Sequence, residues 1–293
     1  MQISTILSDY DGTLIPTTLI HSTDIKHEGF ANDFSQALLE LEKILWKISN
    51  KINIGIISTK DFNFLHYRTR YAKIISCMMS IETILIEHIE SDKCYKYNCV
   101  KQSILNIDSE IFHKNSQKLA YLINKISSEL KDVSIERKLI FKSNLLAGIT
   151  IDWRNLDDWN SIKKQVEPYI MEIVNNEINK KSEHPLYIQQ YSYHPFIDVY
   201  SSICSKEIAY DNISKIINEL AIDRVGNNKK MLYLGDSEND NPAFRKADIS
   251  IGIKSDERLN PKLDCQYTIN FNQLPKFLKN LLNNDFIFSE KLL

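Results

Sequence analysis

The stretch "ILSDYDGTLIPT", Ile6 to Thr17, carries an apolar run into two aspartates, Asp9 and Asp11, separated only by Tyr10. Residues 3–7 are short and apolar, as a buried strand of a parallel sheet requires. Two carboxylates at the mouth of such a strand repel each other unless positive charge lies between them. The carboxyl end of a parallel strand is also where open α/β sheets place their chemistry. Asp11-Gly12 alone would equally suit a tight turn, so the rest of the chain must decide.

Working outward, Phe34, Ala37, Leu38, Leu41, Ile44, Leu45 and Ile48 recur at helical spacing, with Glu40, Glu42 and Lys43 turned away. "INIGIIS" (Ile52 to Ser58) reads as a second buried strand, and "DFNFLHYRTRYA" as a helix capped by Asp61. Strand, helix, strand, helix opens a doubly wound parallel sheet. After "IISCMM" and "ETILIE" the pattern changes. A long helix from Ser109 to Leu130 precedes two alternating runs, "VSIERKLIF" and "LLAGITID"; a helix from about Leu156 to Ile178 precedes two more, "LYIQQ" and "FIDVY". This order predicts an antiparallel sheet with helices on one face. From Lys206 the first pattern returns, with "MLYLG", a helix around Asn239 to Lys246, "ISIGI", "YTIN" and a last helix near Gln273 to Leu282. The expectation is an α/β, Rossmann-like core of residues 1–86 and 202–293, with residues 87–201 inserted as an α+β module.

Composition narrows the functions. Lys+Arg of 36 against Asp+Glu of 38 leaves a net charge of -2, so there is no basic field of the kind a nucleic-acid binder uses. Five scattered cysteines, Cys77, Cys94, Cys99, Cys204 and Cys265, form no C-x-x-C pair and argue for a reducing cytoplasm rather than a disulfide framework or zinc site. No secretory leader and no membrane-spanning run is read from the sequence. Oligomeric state is not legible.

Three further motifs follow "DYDGT". Ser58 ends a strand before a helix start, where a hydroxyl and free N–H groups suit a phosphate oxygen. Lys206 opens a helix, and its ammonium could clamp a phosphate or offset acidic groups. "LGDSENDNPAF" packs Asp236, Glu238, Asn239 and Asp240 into one turn after an apolar strand, a donor set suited to a hard cation such as magnesium. Asp9 with Asp11 and Asp236 with Asp240 are thus expected to converge on one cation, and Ser58 with Lys206 on a phosphate.

These residues resemble the haloacid dehalogenase superfamily of phosphohydrolases. "DYDGT" is similar to its first motif, Ser58 to its strand-end Ser/Thr, Lys206 to its lysine and "GDSEND" to its acidic motif. The insertion resembles the C2-type cap of the phosphatases acting on trehalose phosphate, sucrose phosphate and mannosyl-phosphoglycerate, and of the archaeal phosphoglycolate phosphatases. The resemblance implies that Asp9 is the nucleophile that forms an aspartyl-phosphate, and that Asp11 is the general acid and then base. It implies Mg2+ on Asp9, the Asp11 backbone carbonyl, Asp236 and Asp240, with Ser58, Lys206 and Asn239 on the phosphate. The implied partner is a small phosphate ester, most plausibly a sugar phosphate, and neither nucleic acid nor membrane.

Three departures lie near the substrate side. Thr59-Lys60 stand where sugar phosphatases carry Gly-Arg, "SIET" replaces an E-N-G, and "NPAF" follows Asp240. Glu136, Arg137, Lys138, Asp152 and Arg154 on the paired strands are candidates to hold substrate hydroxyls, or are simply the wet face of an antiparallel sheet. A phosphomutase of the phosphomannomutase type would start from the same aspartates. A binding protein without turnover would be favoured by loss of Asp9, Asp11, Lys206 or Asp236, and all four are present.

Overall fold

A computed structural model describes residues 1–16, 28–89, 96–105, 108–156, 158–192, 194–220, 230–254 and 261–293. The core is an eight-stranded sheet built from β1 (Ile3–Ser8), β2 (Asn53–Ile57), β3 (Ile74–Cys77), β4 (Glu82–Ile89), β5 (Lys96–Ile104), β10 (Lys230–Gly235), β11 (Ile249–Lys254) and β12 (Tyr267–Asn270). Its order is β12-β11-β10-β1-β2-β3-β4-β5. The first six in this order are parallel, β4 runs antiparallel to β3, and β5 runs antiparallel to β4. β1 therefore lies centrally and pairs with β2 on one side and β10 on the other, which brings the first and last parts of the chain side by side.

Helices cover both faces. On one face, α1 (Glu28–Ser49) buries Leu41, Leu45 and Ile48, and α7 (Leu274–Asn283) buries Leu274, Phe277, Leu278 and Leu281 at the spacing of a single helical stripe. On the other, α5 (Lys206–Leu220) places Ala209, Ile213 and Ile217 against Leu7, Ile57 and Tyr233. The strands are apolar on both sides because both sides are covered.

A second sheet, ordered β6-β7-β9-β8, is antiparallel throughout: β6 (Ser134–Leu139), β7 (Leu146–Asp152), β8 (Tyr187–Gln190) and β9 (Phe196–Tyr200). α3 (Ser109–Glu129) and α4 (Trp159–Glu172) cover one face, burying Leu119, Leu122, Ile126, Ile170 and Trp153 in a core of their own. The predicted order of helix, two strands, helix, two strands is the observed one.

Three elements differ from expectation. The first sheet continues through β5 to Ile104, past the boundary expected near residue 87, because β4 and β5 pair as a hairpin along its edge. β5 was not predicted: its residues are mostly exposed, so no apolar run announces it. The helix expected after Asp61 is a single turn, α2 (Phe62–Leu65), although Asp61 does cap it by accepting from Phe64 N at 2.9 Å. The helix expected from Asn239 is a 3-10 turn at Glu238–Asp240 followed by one turn, α6 (Asn241–Phe244). Cys94 lies outside the described residues. No helix among the described residues is long and apolar enough to cross a membrane.

Phe277 is 1% exposed in the stripe that seals one face of the sheet. Phe277→Ala is expected to lower unfolding free energy by about 3–5 kcal/mol in urea titration; a loss below about 1 kcal/mol would contradict this packing.

Candidate active site

Strand register alone brings the first and fourth motifs together. Ser8 pairs with Leu234, so Asp9 stands level with Gly235 and beside Asp236; Ser8 also pairs with Ile56, so Ser58 emerges at the same edge. Asp9 N donates to Leu234 O at 2.9 Å, which fixes the strand end. The chain then turns through Gly12, whose φ is +84°. A Cβ there would lie 2.0 Å from Asp236 Oδ2, so only glycine allows the two acidic loops to approach this closely. Thr13 Oγ1 donates to Asp236 Oδ1 at 2.7 Å and ties the loops directly.

Lys206 is the positive group that the sequence required. Its Nζ, on a side chain 1% exposed, lies 2.7 Å from Asp9 Oδ2 and 2.6 Å from Asp240 Oδ1. Burial alone would lower its pKa, but the carboxylates of Asp240 and Asp9 reverse that and raise it, so the ammonium stays charged. Asp240 is saturated. Its Oδ1 also accepts from Tyr233 OH at 2.6 Å, and its Oδ2 accepts from Asp236 N, Ser237 N and Ser237 Oγ at 3.0–3.1 Å. It shapes the turn and holds Lys206, leaving Asp9 and Asp236 with the more open carboxylate oxygens.

Burial raises the pKa of Asp9 to about 7, with Lys206 opposing it and Asp240 adding to it. Asp236 is pushed well up by burial and then by Asp9 and Asp240. Asp11 is raised by burial, partly offset by Lys60, and its Oδ1 is buried with no hydrogen-bond partner in the protein. One lysine thus does not neutralise this group. Asp9, Asp236 and Asp240 bring carboxylate oxygens within 4.8 Å of one another, and this oxygen-only, under-compensated set fits a divalent cation such as magnesium.

The second motif lies alongside. Ser58 Oγ accepts from Lys60 N at 3.1 Å, and Ser58 O accepts from Met79 N at 3.0 Å. Met78, Met79 and Ser80 all have positive φ, an unusual run for residues with side chains, where "SIET" begins. Asn239 reaches the same place, with Nδ2 3.7 Å from Met79 Sδ. The seven predicted site residues, Asp9, Asp11, Ser58, Lys206, Asp236, Asn239 and Asp240, therefore all lie at one edge of the first sheet.

The candidates of the second sheet are mostly committed to partners. Lys138 Nζ donates to Asp198 Oδ1 at 2.8 Å, inside a buried cluster in which Tyr191 OH, Tyr200 OH and Thr150 Oγ1 also donate to Asp198. Arg154 pairs with Asp152, and Glu136 with Lys60. Arg137 is exposed on the opposite side of β6. Sequence reasoning missed Thr13 and Tyr233. Thr13 was legible as the last letter of "DYDGT"; Tyr233 reads as one more apolar strand residue until its hydroxyl is seen.

No protein-family model matches this chain, and no curated protein matches it. Solved structures do. The C-terminal domain of C. albicans trehalose-6-phosphate phosphatase is similar over 96% of this chain and 93% of its own, at 17% identity and a TM-score of 0.62. A haloacid dehalogenase-like hydrolase from Bacteroides thetaiotaomicron is similar over 96% and 100%, at 11% identity and a TM-score of 0.56. A trehalose-6-phosphate phosphatase related protein is similar over 95% and 96%, at 14% identity and a TM-score of 0.55.

The raised carboxylates carry a pH signature. Between about pH 4 and 7 the folded form keeps protons that the unfolded chain has released, so stability of the metal-free protein is expected to fall as pH rises through that window. Glu82, raised by burial to about 7, adds to the slope but is indifferent to metal. Magnesium should therefore raise Tm more at about pH 8 than at about pH 5 in thermal denaturation, because only ionised carboxylates bind it; a gain independent of pH would contradict the cluster as described. At these identities the likeness to solved structures speaks for architecture, and the chain has the haloacid dehalogenase-like fold, the one carried by trehalose-6-phosphate phosphatases.

Proposed function

We propose that this protein is a magnesium-dependent phosphatase of a small phosphorylated metabolite, with a sugar phosphate as the favoured class. The observation that carries the reading is the Asp9 carboxylate, held at the end of β1 between buried Lys206 and Asp236. A carboxylate so gripped presents an oxygen in a fixed direction, which is what attack on phosphorus needs.

In this reading an Asp9 oxygen bonds to phosphorus while the P–O bond to the leaving alcohol breaks, and Asp11 gives that alcohol its proton. Asp11 then takes a proton from the water that attacks the aspartyl-phosphate and frees Asp9. Support for Asp11 in this role comes from its burial, which holds the carboxyl protonated to higher pH than usual, as a general acid requires. Ser58, Lys206 and Asn239 would hold the phosphoryl oxygens. Asp9, the Asp11 backbone carbonyl and Asp236 would hold magnesium, with Asp240 shaping the loop behind them. Bound there, the cation would neutralise charge on the transferring group.

The four-stranded sheet with its helices would serve as a cap over this site, enclosing the leaving group. The sugar-phosphate class is supported by the fold shared with trehalose-6-phosphate phosphatases and by the polar side chains that β6, β7 and β9 carry.

Two outcomes test the reading. Asp9→Asn should reduce phosphate release from a panel of sugar phosphates, phosphoglycolate and nucleotides to background while leaving the circular dichroism spectrum unchanged; turnover like that of the unmodified chain would sink the mechanism. Chelation with EDTA should stop release and added magnesium should restore it, whereas hydrolysis unaffected by chelation would remove the role given to the acidic cluster.

A further inference from the structure

The four residues that run from Ser58 to Asp61 form the loop that leaves β2 of the first sheet, yet two of their side chains reach the second sheet. Lys60 Nζ donates to Glu136 Oε2 at 2.7 Å, and Asp61 Oδ2 accepts from Leu139 N at 3.3 Å. Further along the same hairpin, both oxygens of Glu82 accept from Phe141 N at 3.2 Å. Three core side chains thus grip β6 and its turn at Glu136, Leu139 and Phe141 in succession.

The grip is uneven. Glu82 is fully buried and also accepts from Gln102 Nε2 at 2.6 Å, while Phe141 packs on Phe62 with ring centroids 4.5 Å apart. This end of the hairpin is anchored. At the other end the Lys60 and Glu136 side chains are 22% and 41% exposed. A wet ion pair of this kind is individually weak and screened by salt, so it can open while the buried end holds. Lys60 is also placed by its ammonium over the Phe64 ring, 5.2 Å from the centroid, and by Met78 N, which donates to Lys60 O at 3.0 Å.

We infer that Lys60 is a positioning residue: through Glu136 it latches the β6–β7 hairpin over the acidic site, with Glu82 and Phe141 as the fixed pivot. The latch belongs to the same loop as Ser58, whose Oγ accepts from Lys60 N. A ligand oxygen that draws on Ser58 therefore shifts the backbone that carries the latch, so occupancy of the site and position of the hairpin are linked through four residues. The kinetic consequence rests on the phosphatase reading proposed above; the latch itself does not.

The test is residue-resolved hydrogen exchange on the full chain, comparing the unmodified protein with Lys60→Gln, Glu136→Gln and the charge swap Lys60→Glu with Glu136→Lys. The Leu139 amide, held by Asp61 beside the latch, should exchange about two- to fivefold faster in each single variant, the size of change expected when one wet ion pair is lost. The Phe141 amide should not change, and the swap should return Leu139 to its original rate. Raised ionic strength should speed Leu139 exchange in the unmodified chain and not in the single variants. Unchanged Leu139 exchange in the single variants, or a swap that behaves as the sum of two losses, overturns the latch. In parallel, KM for glucose 6-phosphate should rise in the single variants and recover in the swap. A swap that restores exchange but not KM overturns the link to substrate, and an unmodified chain inactive on every ester overturns the phosphatase reading while the exchange result still decides the latch.

Discussion

One buried lysine organises this molecule's chemistry. Lys206 Nζ sits between Asp9 and Asp240, which directly follow β1 and lie in the turn after β10, and none of the three side chains has more than slight access to water. Burying such charges is costly, and replacing a whole buried ion cluster by well-packed apolar groups is often neutral or stabilising. Its retention is therefore weak evidence for stability and stronger evidence for a task that needs the charges. Removing the lysine alone would leave two carboxylates buried against each other, a loss on the order of 3–5 kcal/mol for broken buried pairs.

The surrounding architecture reads as the means of holding that arrangement. The β2-β1-β10 order makes residues from opposite halves of the chain neighbours. Gly12 removes the Cβ that would collide with Asp236, and Gly235 does the same for Asp240, whose Cγ would lie 2.4 Å from an added Cβ. Thr13 and Tyr233 then spend their hydroxyls on Asp236 and Asp240. Even so, the carboxylates outnumber the lysine, and burial first, with their mutual repulsion second, holds protons on Asp9 and Asp236 to unusually high pH. That imbalance is the physical reason to expect a cation.

Much of this was legible in the sequence, for identifiable reasons. Buried parallel strands are near-continuous apolar runs, so "INIGIIS" and "MLYLG" were found from hydrophobicity alone, and the site residues follow them directly. β5 was not legible, because an exposed edge strand rich in Lys, Asn and Gln carries no apolar signal. The pairing of the second sheet's charges was also hidden. Alternation along "SIERK" says which residues share a face, but not that Glu136 meets Lys60 or that Lys138 is buried against Asp198. Those contacts join positions about sixty to eighty apart in the chain, where local pattern has no reach.

The central claim is that Asp9 forms a bond to phosphorus. Its most direct measurement is acid quenching of the protein during turnover of a phosphate-labelled ester such as p-nitrophenyl phosphate, followed by peptide mapping. The account predicts acid-stable, hydroxylamine-labile label on the peptide that contains Asp9. Turnover without protein-bound label under rapid quench, or label confined to another peptide, would contradict it.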